Sequence, residues 1–291
     1  MLFLKFAKMK KVLVIVVTYN GTQWLDRCLS SVAREADLYV VDNDSTDGSA
    51  DYVQAHFPDA KLVRSAENLG FSRPNNMGMQ YALDRGYEYV YLLNQDAWLE
   101  EGALDKLVAV ADAHPEYGVL SPLQYQDGYK NLDREFSKIL RRAQNDKSCS
   151  YCLDVPRVMA SHWLIPARII RRIGLFDQAL FPHWGQDDDW CNRLHFCGLK
   201  VGVVPAARAV HDRACRKDSP EVLIKRNYYT GSLVRLANPA RPLSLVMGYF
   251  FLFTLVKFFK YRSLLVFKYF RQVLDQLDAV KASRARSSHA R

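Results

Sequence analysis

The stretch VLVIVVT at Val12–Thr18 decides the fold class of this chain. A continuous run of aliphatic and β-branched residues is typical of a parallel strand that is buried on both faces. Further strands are predicted at residues 38–41, 61–64 and 89–93, with helical patterns between them at residues 24–32, 49–56, 74–85 and 101–113. This alternation predicts an α/β protein with a mostly parallel sheet flanked by helices.

Polar residues follow these predicted strands at their carboxyl ends, where ligands bind in parallel sheets. Thr18 and Asn20 come after the first strand, and Asp42 comes after the second. A carboxylate can accept the ring N–H of a pyrimidine, and a hydroxyl can hydrogen-bond its carbonyl groups. The alternative is an ordinary turn at Asn20-Gly21 and a loop carboxylate at Asp42. We interpret these side chains as candidate nucleotide contacts.

A candidate metal ligand follows the fourth strand, where the sequence is Asn94-Gln95-Asp96. Mg²⁺ and Mn²⁺ are oxygen-binding ions, and Mg²⁺ in particular takes one or two carboxylates while phosphate oxygens complete its coordination. The alternative for Asp96 is a helix N-cap. His211, after a strand predicted at residues 201–204, is a second candidate ligand, although a lone histidine is more often structural.

Three consecutive carboxylates, Asp187-Asp188-Asp189, begin a helix predicted at residues 187–196. Like charges raise the pKa of neighbouring carboxyl groups, so one of the three could act as a general base. Trp184 and Trp190 flank the run and could form the wall of a sugar site. The alternative is an acidic, solvated helix start that the helix dipole stabilises. Before this acidic run, residues 124–155 are predicted as a long loop and residues 158–165 as a strand.

Charge is unevenly distributed along the 291 residues, whose formal net charge is +9. Residues 208–291 carry 17 Lys and Arg against 5 Asp and Glu, whereas residues 1–207 carry 23 against 26. A basic segment suits an anionic surface. Because its basic residues alternate with long apolar runs, we expect a membrane surface as the partner and not nucleic acid.

Residues 243–256 are apolar but shorter than the roughly 20 residues that span a bilayer. If residues 257–271 continue as one helix, its basic residues share one sector and its apolar residues the opposite side. The basic residues are Lys257, Lys260, Lys268 and Arg271. This pattern predicts a helix that lies in a membrane interface. The alternative is a helical hairpin that packs on the rest of the chain or pairs in a homodimer.

The N-terminal sequence MLFLKFAKMKK is too interrupted by lysine to be a signal peptide. The six cysteines include one CxxC pair, at Cys149 and Cys152, which is too few ligands for a structural zinc site. Both features predict a cytoplasmic chain with free thiols.

Two α/β enzyme classes are excluded by the loop after the first strand. A nucleotidyltransferase needs a glycine-rich basic loop there, and a dinucleotide-dependent dehydrogenase needs G-x-G-x-x-G. The sequence Tyr19-Asn20-Gly21-Thr22-Gln23 is neither.

Six motifs, taken in order, resemble the family 2 glycosyltransferases of GT-A fold, especially their rhamnosyltransferase-like branch. They are VVTYN at 16–20, VDNDSTDGS at 41–49, NLGFSRPNNMG at 68–78, LLNQDAW at 92–98, FDQALFPHWGQDDDWCNR at 176–193 and the spacing from Pro205 to His211. The resemblance covers about residues 10–213. It implies an inverting sugar transfer from a dTDP- or UDP-linked donor to a saccharide or polyprenyl-linked acceptor, in cell-surface polysaccharide synthesis.

The resemblance also implies roles for individual residues. The nucleotide sugar would be held by Thr18, Asn20, Asp42, Asn43, Asp44, Asn68, Gly70, Phe71, Arg73, Asn76, Asn94 and Gln95. Mg²⁺ or Mn²⁺ would be bound by Asp96 and His211. Asp187 would be the general base, with Asp189 and Arg193 as its support, and Trp184 and Trp190 would contact the acceptor.

Two positions depart from the family pattern. Asn94 stands where many relatives have an aspartate, and Gln186 where they have a glutamate. The alternative function is therefore a catalytically impaired or non-catalytic nucleotide-sugar or saccharide-binding protein of the same fold.

We predict a catalytic domain over residues 1–237, with a nucleotide-binding half at about 10–123 and an acceptor half at about 124–237. Residues 238–291 are predicted as an amphipathic helical segment with a basic tail. This organisation predicts an enzyme that is peripheral on the inner face of the cell membrane.

Overall fold

A computed structural model describes residues 12–126, 128–141, 143, 151–212 and 219–289. The strands are β1 (Val12–Thr18), β2 (Asp37–Asn43), β3 (Lys61–Ser65), β4 (Tyr89–Asn94), β5 (Ala97–Leu99), β6 (Tyr117–Tyr125), β7 (Leu153–Val155), β8 (His162–Pro166) and β9 (Lys200–His211).

The helices surround this sheet and continue beyond it. They are α1 (Thr22–Ser30), α2 (Ser49–His56), α3 (Ser72–Asp84), α4 (Ala103–Ala113), α5 (Arg134–Leu140), α6 (Ala167–Ile173), α7 (Gln186–Phe196), α8 (Pro220–Ile224), α9 (Gly231–Ala237), α10 (Leu243–Tyr261), α11 (Leu265–Asp275) and α12 (Leu277–His289). A π-helical segment, Lys225–Thr230, joins α8 to α9.

All nine strands belong to one sheet, of order β3-β2-β1-β4-β8-β6-β9-β5, with β7 paired to β9. Strands β3, β2, β1 and β4 are parallel to their neighbours. Beyond β4 the sheet is mixed, because β8 runs antiparallel to both β4 and β6 while β6 and β9 are parallel. The predicted α/β class with flanking helices is confirmed, and the parallel order is strictest in the first half.

The sheet separates two apolar cores, because alternate residues of a strand point to opposite faces. One face packs against α3, α6 and α7, and the other against α1, α2 and α4. The first core includes Leu13, Ile15, Val41, Met79, Leu92, Trp163, Ile170 and Trp190. The second includes Val14, Val16, Leu25, Val40, Val53, Tyr91 and Leu104.

Three strands, β5, β6 and β7, were not predicted from the sequence. Strand β6 contains Gly118 and Pro122, residues that are uncommon within strands. At Gly118 a side chain would meet Leu194 of α7, with 2.4 Å between its Cβ and Leu194 Cδ1. The glycine is therefore required by the close approach of α7 to the sheet.

The predicted loop at 124–155 is partly structured. It contains α5, which begins where the Asp133 carboxylate accepts a hydrogen bond from the Phe136 N–H at 2.8 Å. It also contains β7. The rest of that prediction, at residues 127, 142 and 144–150, lies outside the described residues.

The C-terminal helices form a third apolar cluster, which joins residues on both sides of the predicted boundary at 237. It includes Phe181, Tyr228, Leu233, Leu236, Val246, Phe250, Val266 and Val273. Residues 220–237 therefore pack with the helices that follow them, and the domain boundary stays a prediction.

The prediction of one continuous helix over 257–271 is wrong. Helix α10 ends at Tyr261, and Arg262 adopts a left-handed conformation with φ of 48°. Lys257 and Lys260 therefore lie on α10, whereas Lys268 and Arg271 lie on α11. Left-handed backbone does not continue an α-helix, so the shared sector of basic residues does not exist.

Candidate active site

The carboxyl ends of β1, β2 and β4 bring together the first predicted site residues. The strand register pairs Thr18 with Asp42 across β1 and β2, and Val17 with Asn94 across β1 and β4. The Thr18 hydroxyl donates to Gln95 Oε1 at 2.9 Å, and the Tyr19 N–H donates to the same oxygen at 2.8 Å. Thr18 and Gln95 therefore fix each other at the floor of the crevice.

Asp42 has a buried carboxylate oxygen without a hydrogen-bond partner among the described residues. The side chain is buried, and its Oδ1 accepts a hydrogen bond from the Ser45 N–H at 3.1 Å. Its Oδ2 is buried and has no hydrogen-bond partner among the described residues. An unsatisfied buried acceptor is costly, so Oδ2 is suited to an N–H donor from a bound molecule.

Asn20 and Asn43 build the rim of the crevice. Asn20 has a φ of 48°, and its Oδ1 accepts a hydrogen bond from the Thr46 N–H at 2.8 Å. The Asn43 amide group donates to Asn68 Oδ1 at 3.0 Å and to the Gly70 carbonyl at 2.9 Å, and it accepts from the Leu69 N–H. Their side chains are thus occupied by neighbouring loops, which they hold in place.

Four further residues were predicted to contact the nucleotide sugar. Two of them are exposed, and the other two contact Phe176. Asp44 is exposed, and Arg73 is exposed beside Glu67 at 3.4 Å. The Phe71 ring packs 6.2 Å from the Phe176 ring. Asn76 is buried and hydrogen-bonds both the N–H and the carbonyl of Phe176. Asn76 therefore positions the chain that leads to α7.

Gly70 lies where the loop between β3 and α3 contacts the segment before α7. The Pro182 carbonyl accepts hydrogen bonds from the N–H groups of Phe71, at 2.8 Å, and Ser72, at 3.1 Å. A side chain at Gly70, whose φ is +78°, would place its Cβ 2.6 Å from this carbonyl oxygen. The contact ties the segment before α7 to the loop at 68–71, which itself follows the strand ends.

Asp96 and His211 meet where β5 pairs with the end of β9. Ala97 and His211 are in register across these strands, and Asp96 Oδ1 lies 3.4 Å from His211 Nε2. Both side chains are buried. Behind them, His162 Nε2 donates to the Val210 carbonyl oxygen at 3.1 Å, and burial lowers the pKa of His162 to about 3.

The Asp96 carboxylate is the type of ligand that Mn²⁺ and Mg²⁺ prefer, and the His211 imidazole lies close enough to add a nitrogen ligand. Across the part of the chain that the structure describes, no group of three or more His, Cys, Asp or Glu could hold a metal ion. Phosphate oxygens and water would therefore have to supply the other ligands.

The three acidic residues of α7 have different environments. Asp187 is half-buried, and burial together with the charge of Asp188 raises its pKa to about 7. Asp188 forms an ion pair with Arg157. Asp189 is fully buried, and its Oδ2 accepts from Arg193 Nε at 2.9 Å. A pKa of about 7 suits a general base that acts near neutral pH, which favours Asp187 for that role.

Arg193 supports the start of α7 from below. Besides its bond to Asp189, its guanidinium donates to the carbonyl groups of Ile173, at 2.8 Å, and Leu175, at 3.0 Å. These bonds hold the chain before α7 and suit the supporting role expected of Asp189 and Arg193.

The two tryptophans are in different places. Trp184 is half-buried next to His183, with ring centres 5.6 Å apart. Trp190 is fully buried, packs against Trp163 and donates to the Gly174 carbonyl at 2.9 Å. The prediction that Trp190 contacts the acceptor is wrong, since the helical period turns this residue into the core.

Arg157 and Tyr19 were not predicted from the sequence as site residues. The Arg157 guanidinium lies beside Asp188, and its positive charge also acts to lower the pKa of Asp187. No local pattern marks Arg157, which lies 31 positions from Asp188. Tyr19 is 48% exposed at the mouth of the crevice, and an aromatic residue directly after a strand end could have revealed it.

The solved structures with similar folds include a mannosyltransferase of Pyrobaculum calidifontis in complex with GDP-Man and Mn²⁺. Its TM-score is 0.56 and its sequence identity 18%, and the match covers 98% of this chain and 86% of that one. This similarity supports the GT-A fold.

Two curated relatives are similar in sequence. An N-acetylglucosaminyl-diphospho-decaprenol L-rhamnosyltransferase of Mycobacterium tuberculosis is 26% identical over 234 residues, which are 69% of this chain and 76% of the relative. A dTDP-rhamnosyl transferase of Shigella flexneri is 24% identical over 207 residues, 68% of this chain and 67% of the relative. Residues 13–174 match the family described as Glycosyl transferase family 2. The match spans more than half of the chain, which therefore belongs to glycosyl transferase family 2.

Proposed function

We propose that this glycosyltransferase transfers rhamnose from dTDP-rhamnose, with inversion, to a hydroxyl group of a polyprenyl-linked saccharide. The observation that carries the proposal is the half-buried Asp187 carboxyl, whose pKa is raised to about 7 at the start of a helix tied to the nucleotide crevice. The names of the two relatives support rhamnose as the sugar, dTDP as its carrier and a lipid diphosphate as the acceptor.

We assign recognition of the nucleotide base of the donor to Asp42. Its unpaired Oδ2 would accept the ring N–H of thymine, and the same contact would serve uracil. In this arrangement the Thr18–Gln95 pair would lie beneath the base, and the exposed Tyr19 would lie beside it. dTDP is preferred here over UDP because of the relative that is a dTDP-rhamnosyl transferase.

Asp96 and His211 would hold Mn²⁺ or Mg²⁺ together with the donor phosphates. When bound, the ion supplies positive charge that neutralises the leaving diphosphate. The Asp96→Ala variant should lose the metal-dependent part of donor binding but keep its fold, because Asp96 lies at a strand end. Donor affinity of the wild-type protein that is the same in EDTA and in Mn²⁺ would contradict this role.

Asp187 would take the proton of the acceptor hydroxyl as its oxygen attacks the anomeric carbon. One displacement at that carbon inverts its configuration, so no covalent intermediate is required. Arg157 and the Asp189–Arg193 pair hold the start of α7, which fixes the direction of the base. NMR of the product should show the anomeric configuration opposite to that of the donor.

Helix α10 would place the enzyme on the inner face of the membrane. It is exposed and apolar over much of its length, with Leu245, Tyr249, Phe251, Leu252, Leu255, Val256 and Phe259 at the surface. By length and composition α10 is also the one helix among the described residues that could cross a bilayer, with 17% of its most apolar stretch buried. We propose that α10 lies along the membrane, because Lys257 and Lys260 interrupt its second half.

Membrane binding can be tested with the double variant Leu255→Gln/Phe259→Gln. Both side chains are exposed, so the fold should be kept while sedimentation with phosphatidylglycerol vesicles is reduced. If the wild-type protein stays in the supernatant and forms dimers that the double variant abolishes, the apolar face is a homodimer interface and the membrane role is excluded.

A donor screen tests the proposed function most directly. Isothermal titration with dTDP, UDP and GDP, each with Mn²⁺ and with EDTA, should give the highest affinity for dTDP with Mn²⁺. Turnover of dTDP-rhamnose with a prenyl-diphosphate N-acetylglucosamine acceptor should follow. Tight donor binding without turnover of any acceptor or of water would instead favour the non-catalytic nucleotide-sugar-binding protein.

A further inference from the structure

Two cations share one aromatic ring between α9 and α10. The Arg235 guanidinium carbon lies 4.6 Å from the centre of the Phe253 ring, and Lys257 Nζ lies 4.8 Å from the same centre. Arg235 is exposed and Lys257 is half-buried, so both charges are accessible from outside. We call these three residues the Arg235–Lys257 cluster.

Neither cation of the cluster forms an ion pair with a carboxylate of the described residues. Burial lowers the pKa of Lys257, and repulsion from Lys260 and Arg235 lowers it further. Like charges that are held together at a cost are typical of a site that binds an anion.

The cluster lies beside the candidate base. A Cβ atom at Gly185, the residue before α7, would lie 2.9 Å from Val234 Cγ2, so α9 packs directly on the start of α7. Arg235 is the next residue of α9, and the negative charge of Asp188 acts on its pKa. The cluster is therefore next to the acidic turn that contains Asp187.

The cluster also borders the apolar surface of α10. Val256 and Leu252 are exposed at 54% and 58%, and both lie within five positions of Lys257 on the same helix. Going from α7 through α9 to α10, the order is therefore the candidate base, the two cations and a helix with exposed apolar residues. A molecule that fits it carries a hydroxyl group, an anionic group and an apolar chain, in that order.

We propose that the Arg235–Lys257 cluster binds the diphosphate group of a prenyl-diphosphate-linked acceptor and thereby presents the first sugar to Asp187. The inference rests on the proposed function for the direction of transfer. Two cations match the charge of a diphosphate better than that of a monoester, and the Phe253 ring orients both of them. The prenyl chain would leave along α10 toward the bilayer.

The phosphate of a membrane phospholipid has related chemistry, so the experiment compares the two sources. Binding of farnesyl diphosphate, farnesyl monophosphate and inorganic pyrophosphate is measured by isothermal titration, and binding of phosphatidylglycerol vesicles by sedimentation. The variants are Arg235→Met and Lys257→Met, which keep a long side chain over Phe253. Lys268→Met on α11 is the matched control, because Lys268 is an exposed lysine next to a different ring, that of Tyr269.

We expect farnesyl diphosphate to bind the wild-type protein more tightly than the monophosphate. Each cluster variant should weaken its binding by roughly 10- to 100-fold, as expected for a charge-assisted hydrogen bond. Lys268→Met should stay within about twofold of wild type. Unchanged dTDP affinity would show that the variants are folded, and Lys257→Arg should restore most of the diphosphate affinity.

Several results would overturn the proposal. Equal affinity of the wild-type protein and both cluster variants for farnesyl diphosphate is one of them. Loss of vesicle binding in the variants with diphosphate affinity retained is another, since it would assign the cluster to phospholipid headgroups. Failure of the wild-type enzyme to turn over dTDP-rhamnose while these effects on diphosphate binding persist would contradict the proposed function and leave the cluster assignment intact.

Discussion

The donor side and the acceptor side of this site are built in different ways. On the donor side, strand register sets the positions of Thr18 and Asp42, and side chains from adjacent loops occupy most of the polar groups. On the acceptor side, helix packing brings α7, α9 and α10 together. The polar groups there include an acidic turn and the Arg235–Lys257 cluster, which forms no ion pair with a carboxylate of the described residues.

Because of this difference, the two sides of the site recognise their ligands through different kinds of contact. A crevice whose donors and acceptors are largely satisfied can recognise a ligand only through the few that remain, here Asp42 Oδ2. On the acceptor side, repulsion between the cations raises the free energy of the unliganded protein. Binding of an anionic ligand offsets this repulsion. Substitutions should therefore act through single contacts on the donor side and through charge on the acceptor side.

The largest effect should follow the Asp187→Asn substitution. Asparagine has nearly the same shape but cannot accept the proton, so kcat should fall by about 10²–10⁴-fold while the Kd of dTDP stays the same. Steady-state kinetics and isothermal titration on the same preparation separate the two quantities. If Asp188→Asn loses this activity and Asp187→Asn does not, the base is assigned to the wrong residue.

The Asp42→Asn substitution should have a smaller effect, which is confined to the affinity for dTDP. The asparagine Oδ1 can still accept from the Ser45 N–H, but its amide group then faces the ligand, where an acceptor is needed. The Kd of dTDP should rise by roughly 10- to 100-fold, with kcat at saturating donor nearly unchanged. The control is Asp84→Asn, at an exposed position at the end of α3. Equal dTDP affinity in Asp42→Asn and wild type would show that Oδ2 does not contact the base.

The pH dependence should follow the acceptor side. Asp187 must be ionised to accept a proton, and its pKa is raised to about 7. The value of kcat/KM should therefore fall about tenfold per pH unit below 7 and level off above it, whereas dTDP affinity should stay constant between pH 6 and 8. A profile that is flat from pH 5 to 8 would contradict the assignment of the base.

The smallest effect concerns stability. The folded-state pKa of Asp187 lies above its ordinary value of 3.8. The contribution of this carboxyl group to the free energy of unfolding is therefore fully present below pH 3.8 and is lost as the pH rises through about 7. Asp187→Asn removes a poorly solvated charge at high pH. Its Tm should match the wild-type Tm at pH 4 and exceed it at pH 8, by on the order of 2–4 °C. A lower Tm at pH 8 would show that the ionised carboxylate is stabilised in the fold.

The sequence predicted the elements from β1 to β4 closely. Strand β1 and helix α2 have the predicted bounds, and β2, β3 and β4 differ from prediction by a residue or two at their ends. The reason is local: buried parallel strands are continuous apolar runs, and the polar residues that follow them mark their ends. Because all carboxyl ends meet at one edge, the juxtaposition of Thr18 and Asp42 was also predictable.

Three features depended on tertiary structure. Trp184 and Trp190 both flank the acidic run in the sequence. The helical period of α7 nevertheless directs the Trp190 side chain into the core, where it packs against Trp163. Strand β6 was missed because Gly118 and Pro122 conceal its pattern, and only the approach of Leu194 explains the glycine. The left-handed Arg262 divides a run that, by composition, could have been one helix.

The α/β fold, the family and the strand-end residues could all be inferred from the amino-acid sequence, because they depend on local patterns and on the order of the motifs. Tertiary structure decided which residues share an environment over long separations. Asp96 meets His211, Arg157 meets Asp188, and Arg235 meets Lys257 through contacts between distant segments. The charge balance of the acceptor side, and the pKa of Asp187 with it, depends on those contacts, because burial and neighbouring charges act through space and not along the chain.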